Sequence, residues 1–161
     1  MTTIDGLPTH ILLVHLVVVF VPLTALALIV CALSPAVARR AGLLLPVLAF
    51  VTLASVPVTT HAGEWLEEHV KGGDLVRKHA ELGDGLLPWA AGLFLLAVLV
   101  WWFAREKGAR RMSTGVRIGA GVLCAVVAAG AVVDVYRIGD SGAKAAWQDA
   151  VTSSAGAGDS H

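Results

Sequence analysis

Charged residues are scarce in this chain, and their scarcity indicates the class of protein. They make up 15% of the 161 residues, hydrophobic residues make up 57%, and the mean hydropathy is +0.76. A soluble domain usually carries about 25% charged residues. The formal net charge is zero, from 12 basic and 12 acidic side chains, so the charge total gives no sign of nucleic-acid binding. The composition therefore indicates an integral membrane protein.

Cysteines and catalytic motifs are also sparse. The two cysteines, Cys31 and Cys124, each lie inside an apolar segment without CxxC or CxxCH haem-attachment spacing, and we expect both to be packing residues. There is no nucleophile elbow, P-loop, Rossmann glycine pattern, HExxH or kinase signature. These absences disfavour a hydrolase or a nucleotide-driven machine, and they leave electron transfer as the enzymatic role still open.

Four apolar segments are long enough to cross a bilayer as helices, at residues 11–33, 41–60, 86–104 and 115–136. A span takes about 20 apolar residues and must be helical, because a helix satisfies its own backbone hydrogen bonds in lipid. The sequence thus predicts an all-α, integral membrane four-helix bundle that forms a single domain over residues 1–147. The small, polar residues 148–161 are predicted to be a disordered tail.

Basic residues lie in the connections after the first and third segments, at Arg39, Arg40, Arg105, Lys107, Arg110, Arg111 and Arg117. Short basic loops face the cytoplasm. The N-terminus, the C-terminus and the loop between helices two and three are therefore predicted to be extracytoplasmic, in a multi-pass protein of the plasma membrane. The run GEWLEEHV predicts a short amphipathic extension of helix two into that loop.

Small residues are frequent in the fourth segment. Gly115 and Gly119 form the small-xxx-small pattern that lets membrane helices approach closely. We therefore expect this helix to pack inside the bundle.

Every histidine falls in the predicted extracytoplasmic half, at His10, His15, His61, His69, His79 and His161. Of these, His15, His61 and His79 come from three different helices and should lie at similar depth. Two imidazoles from facing helices can hold a haem iron, and helical bundles are a common place for such a site. This pattern favours a b-type haem redox module in which His15 pairs with His79 or His61.

Two other interpretations remain open. The site could instead bind zinc or copper, with ligands drawn from His10, His15, His61, Glu64 and His79. Alternatively, the protein is a cofactor-free structural or accessory subunit whose histidines bond to nearby polar groups. A homo-oligomer or a complex with a redox partner protein is compatible with these readings.

Asp134, Tyr136 and Arg137 form a second constellation near the outer end of helix four. One interpretation is an ion pair between Asp134 and Arg137. In the other, Arg137 holds a haem propionate while Asp134 orients a ligating histidine, and Tyr136 supports either role.

The segments GLPTHILLVHLVVVFVPLTALAL, PVTTHAGEWLE, LVRKHAELGDGLLPWA and VYRIGDSGAKAAW together resemble the actinobacterial branch of the bacterial membrane proteins called domain of unknown function 2231. The resemblance extends to about Trp147 and implies a small four-helix inner-membrane protein. It marks as family-like positions His10, His15, His61, Glu64, His79 and a turn at Gly139-Asp140-Ser141-Gly142, without implying a role for any of them.

Overall fold

Four membrane-length helices form the body of the computed structural model. The structure describes residues 3–4, 7–69, 74–105 and 113–156, with side chains for 13–63, 77–105, 113–144 and 147. Helices long and apolar enough to cross a membrane occur at Leu13–Leu33, Leu44–Gly63, Arg77–Arg105 and Thr114–Lys144. The predicted all-α four-helix membrane architecture is therefore confirmed.

The helices run α1 (Thr9–Leu33), α2 (Pro35–Ala41), α3 (Leu44–His69), α4 (Asp74–Arg105) and α5 (Thr114–Gly156). A two-residue antiparallel pair, β1 (Thr3–Ile4) with β2 (Leu7–Pro8), precedes them. The extension of α3 to His69 agrees with a helical continuation beyond the second span. Residues 148–156, predicted to belong to a disordered tail, are part of α5, and residues 157–161 lie outside the described residues.

The short helix α2 occupies the connection between the first two spans, where no helix was predicted. Ser34 caps it, because the Ser34 hydroxyl accepts from the backbone N–H of Val37 at 3.4 Å, and Pro35 supplies a first-turn residue that needs no N–H partner. Gly42 then ends it with a φ of +52°, a conformation that a residue with a Cβ rarely adopts. The second span consequently begins at Leu44 rather than at residue 41.

The four long helices close into a ring in which α1 packs on α3, α3 on α4, α4 on α5 and α5 on α1. Alanines on the inward faces let the backbones come close, and the largest fully buried apolar side chains include Val21, Leu28 and Leu93. Trp89 of α4 lies against α5 at Gly130, where any Cβ would overlap its ring. The outward faces carry large apolar residues such as Leu26, Leu95 and Ile118, as expected of surfaces in contact with lipid.

The first two turns of α5 do not pack as predicted. A Cβ added at Gly115 or Gly119 would meet no described atom within 4 Å, so this small-xxx-small pair does not mediate a helix contact within the described part of the protomer. Burial begins further along, at Cys124, Ala128, Ala131 and Val135, whose spacing of three and four residues makes one helix face. That face, rather than the glycine pair, is the packing surface of α5.

Candidate functional site

The end of the bundle that carries His15, His61 and His79, here called the histidine end, is formed by the start of α1, the last spanning turns of α3, the start of α4 and the end of α5. Two contacts fix the relative levels of α3, α4 and α5, and α1 runs antiparallel to α3 beside them. A Cβ at Gly83 of α4 would lie 3.6 Å from Thr60 of α3, and His79 of α4 bonds to Ser141 of α5. The topology therefore brings the three predicted histidines to one end.

The ring of His79 is half-buried between α4 and α5. Its Nδ1 lies 2.9 Å from Oγ of Ser141, and that hydroxyl donates to the carbonyl oxygen of Ile138 at 2.8 Å. A serine hydroxyl has one hydrogen, so when it donates to Ile138 its oxygen accepts from Nδ1–H of His79. Neutral His79 then has its proton on Nδ1 and an unprotonated lone pair on Nε2.

Gly142 provides the surface against which this ring packs. A Cβ there would lie 3.0 Å from Cε1 of His79 and 3.3 Å from its Nδ1. These separations are shorter than ordinary van der Waals contact, so a methyl group at position 142 would fit only if the His79 ring moved by a few tenths of an ångström. The imidazole therefore rests directly on the backbone of α5 while it bonds to Ser141, and the two contacts hold α4 against α5.

The other predicted ligands have different surroundings. His15 and His61 are both exposed at the surface of the bundle, where each makes further interactions. The side chains of His10 and Glu64 lie outside the described residues. Among the side chains that the structure does describe, no three His, Cys, Asp or Glu residues are gathered so that they could hold a metal ion. His15, His61 and His79 thus share an end of the bundle without forming a three-ligand metal cluster.

Asp134 directs its carboxylate toward α4. Its Oδ2 is buried without a hydrogen-bond partner among the described residues, and it lies 3.7 Å from the position of a Cβ at Gly85. Tyr136 is 75% exposed and Arg137 is also exposed, and Arg137 interacts electrostatically with the Asp134 carboxylate. The three residues therefore divide between the α4–α5 interface and the outer surface of the bundle.

The segment Gly139-Asp140-Ser141-Gly142 is helical, which corrects the expected turn. Asp140 accepts from Lys144 one helical turn later, at 2.6 Å. Ser141 bonds back to Ile138 on the same helix. These local bonds, together with packing on His79, keep the two glycines within α5 despite their low helix propensity.

A column of buried hydroxyl groups lies on α3, and the sequence pattern did not predict it. Thr52, Ser55 and Thr59 are buried, and their spacing of three and four residues puts them on one helix face. Oγ of Ser55 donates to the carbonyl of Thr52, and Oγ1 of Thr59 donates to that of Ser55, both at 2.7 Å. The spacing of Thr52, Ser55 and Thr59 was the signal in the sequence that could have predicted this column. It is hard to recognise because the hydroxyl groups bond to backbone carbonyls, which every residue of the segment has.

At Thr52, the end of the column farther from the histidines, the column contacts α1. Oγ1 of Thr52 lies 2.7 Å from Oγ1 of Thr24 and 2.9 Å from the carbonyl oxygen of Leu48. Thr52 donates to Leu48 and accepts from Thr24, so both buried hydroxyls are satisfied. This hydrogen bond between α1 and α3 is a structural contact deep in the bundle.

The sequence matches the model of a protein family. The model described as "Predicted membrane protein (DUF2231)" matches residues 6–155, which is nearly the whole chain. No curated protein and no solved structure matches the chain.

Proposed function

Because the chain belongs to the DUF2231 family of predicted membrane proteins, we propose that it is a structural or accessory membrane subunit whose histidine end is held together by helix contacts. The observation that carries this proposal is the position of His79. Its ring has a hydrogen-bond partner on α5 and packs against the backbone at Gly142. Both contacts account for a polar ring at the edge of the membrane without a cofactor.

Three variants test the proposal. His79→Ala and Ser141→Ala each remove the hydrogen bond between α4 and α5, whereas His79→Gln retains an amide donor near Ser141. A net hydrogen bond contributes about 0.5–1.5 kcal/mol, so both alanine variants should unfold at lower temperature in detergent, with partial recovery in His79→Gln. Lys78→Ala, an exposed neighbour on α4, is the matched control and should leave the unfolding temperature unchanged.

Elemental analysis and an absorption spectrum of the purified protein complete this test. The accessory-subunit proposal predicts that His79→Ala changes stability and leaves the metal content and visible spectrum as in the wild type. Stoichiometric iron, zinc or copper that is lost in His79→Ala would overturn it.

A second candidate, a b-type haem redox module, is favoured by the tautomer of His79. A ligating histidine normally donates its other ring N–H to a protein acceptor, which fixes the ring and its protonation. Ser141 does this at Nδ1, leaving Nε2 as the nitrogen available to a ligand. His79 together with His15 or His61 would hold the haem iron, and Arg137 would contact a propionate. Bound haem would supply one-electron transfer within the membrane.

The haem proposal has its own readout. Protein expressed with a supply of haem should show a Soret band and a reduced-minus-oxidised difference spectrum, and His79→Gln should lose both while Lys78→Ala keeps them. Absence of a Soret band in the wild-type protein would exclude this candidate. Zinc or copper at the same end would instead appear in the elemental analysis without a porphyrin spectrum.

The proposed setting is the plasma membrane, with both termini and the histidine end extracytoplasmic. Support comes from the arginines, since Arg39, Arg40, Arg105 and Arg117 all lie at the opposite end of the bundle, here called the arginine end. As an accessory subunit the protein would form a homo-oligomer. As a haem module it would bind a redox partner protein.

A further inference from the structure

An apolar cavity lies at the arginine end, away from the histidines. Its volume is about 270 Å³, and residues of α1, α2, α4 and α5 line it. Both cysteines of the chain, Cys31 and Cys124, are part of its wall, and aliphatic and aromatic side chains such as Leu99 and Phe103 form much of the remainder. A cavity with these walls favours a hydrocarbon group over a small polar solute.

The cavity has one charged side chain among the described residues that line it, Arg117 near the start of α5. Arg105, at the end of α4, has a different contact, because its guanidinium carbon lies 4.7 Å from the centre of the Trp101 ring. Among the described side chains, Arg117 is therefore the cation that a ligand in the cavity would meet. A guanidinium group binds phosphate and carboxylate oxygens with two parallel hydrogen bonds.

The dimensions of the cavity suit a lipid chain that enters from one leaflet. Along α4 its wall extends from Leu96 to Ala104, and along α5 from Val116 to Cys124. At 1.5 Å per residue each stretch is about 12 Å long. One leaflet contributes about half of the ~30 Å hydrocarbon core, so the cavity covers most of the depth of a leaflet.

We propose that this cavity binds one acyl chain of an anionic phospholipid, with the lipid phosphate held by Arg117. A chain in the bilayer is already in apolar surroundings, so its transfer into the cavity adds packing contacts and little hydrophobic free energy. Selectivity among lipids therefore comes from the head group. An anionic phospholipid lacks the choline cation that would lie close to Arg117 when phosphatidylcholine binds.

Native mass spectrometry of the detergent-purified full chain tests this site. The protein is titrated with phosphatidylglycerol or with phosphatidylcholine of the same acyl chains, and the fraction that retains one lipid is measured. We expect phosphatidylglycerol to be retained at a several-fold lower lipid concentration than phosphatidylcholine. Arg117→Gln should abolish that preference, and Arg40→Gln, which removes an exposed charge outside the cavity wall at the same end, should preserve it.

A second pair of variants tests the chain-binding part of the proposal. Ala120 lines the cavity and Ala125 does not, although both are exposed residues of α5. Ala120→Phe places a ring in the space of the acyl chain and should reduce lipid retention several-fold, while Ala125→Phe should retain lipid as the wild type does. Circular dichroism of each variant establishes that it is folded.

Three results would overturn the proposal. Equal retention of the two phospholipids would show that the head group is not recognised, as for a neutral apolar ligand. If Arg117→Gln and Arg40→Gln lost the preference for phosphatidylglycerol equally, general surface charge would explain the preference. Unchanged retention in folded Ala120→Phe would place the lipid elsewhere, for example at a contact between two copies of the chain.

Discussion

Individual glycines decide how closely α4 and α5 approach. A Cβ at Gly142 would lie only 3.0 Å from Cε1 of His79, whereas a Cβ at Gly139 would meet nothing within 4 Å. Both residues are in the same helix, three positions apart. The pair therefore separates the effect of a helix contact from the effect of helix propensity.

We expect Gly142→Ala to destabilise the protein and Gly139→Ala to leave it unchanged or slightly more stable. Alanine favours a helix over glycine by up to about 1 kcal/mol, and this gain applies at both positions. At Gly142 the new methyl group also displaces His79, and overpacking of this kind costs about 1–3 kcal/mol. Thermal unfolding of both variants in the same detergent measures the difference.

The double variant His79→Ala with Gly142→Ala provides the internal check. Without the ring, the methyl group at position 142 has room, so the second substitution should cost little in that background. An equal cost of Gly142→Ala with and without the His79 ring would refute the contact as the cause.

Hydropathy could not predict how each helix is rotated about its own axis, and this rotation decides which way the histidines face. Placing His15, His61 and His79 at one end follows from span lengths and alternating helix direction, and the structure has this arrangement. The rotation of each helix depends instead on close contacts with its neighbours, such as the ring of His79 on Gly142. Those contacts leave His15 and His61 exposed, which the number of apolar residues in a span could not reveal.

At the scale of helices, hydrogen bonds between hydroxyl groups join α1 to α3 within the bundle. Thr24 and Thr52 are 0% and 1% exposed, so water does not replace the bond when it breaks. Interhelical hydrogen bonds in membrane proteins contribute modestly, about 0.6 kcal/mol on average, because the separated helices find other partners. The α1–α3 contact therefore gains specificity from this pair as well as stability.

A double-mutant cycle of Thr24→Val and Thr52→Val should show a coupling free energy of about 0.6 kcal/mol and no more than about 1.7 kcal/mol. Valine keeps the shape of threonine and removes the hydroxyl group, so the cycle isolates the bond from packing. Reversible unfolding in mixed micelles gives the four free energies. Thr24→Val with Thr60→Val is the control cycle and should be additive, because Thr60 lies two helical turns from Thr52 and bonds to Pro57 of its own helix. Additivity in the Thr24–Thr52 cycle itself would mean that the observed bond does not contribute.

The helix boundaries show where local sequence is informative and where it is not. Long apolar runs predicted the four spans because lipid leaves a helix as the only backbone solution for such a segment. The extra helix α2 depends on three residues, Ser34, Pro35 and Gly42, whose capping roles become clear only once the chain is known to turn there. The same limit applies to Gly115 and Gly119, whose spacing fits a helix contact that the described protomer does not make.

The whole molecule has two chemically different ends. His79 bonds to Ser141 where α4 meets α5 at one end, and Arg117 lines the apolar cavity at the other end. Because a positively charged loop is retained in the cytoplasm during insertion, this difference predicts the orientation of the protein. The cavity would then open to the leaflet in which anionic lipids concentrate, and the histidine end would face outward.

Single cysteines at opposite ends test that orientation. With Cys31 and Cys124 replaced by alanine, Ser113→Cys places a thiol just before α5 at the arginine end, and Trp147→Cys places one beyond the last spanning residue at the histidine end. Both positions are exposed, so a thiol at either one is accessible to reagent. In intact cells a membrane-impermeant maleimide should label the Trp147→Cys variant, and it should label the Ser113→Cys variant only after the membrane is permeabilised. The reverse pattern would place the arginine end outside and would contradict the positive-inside assignment, while labelling of both in intact cells would contradict the transmembrane arrangement of α5.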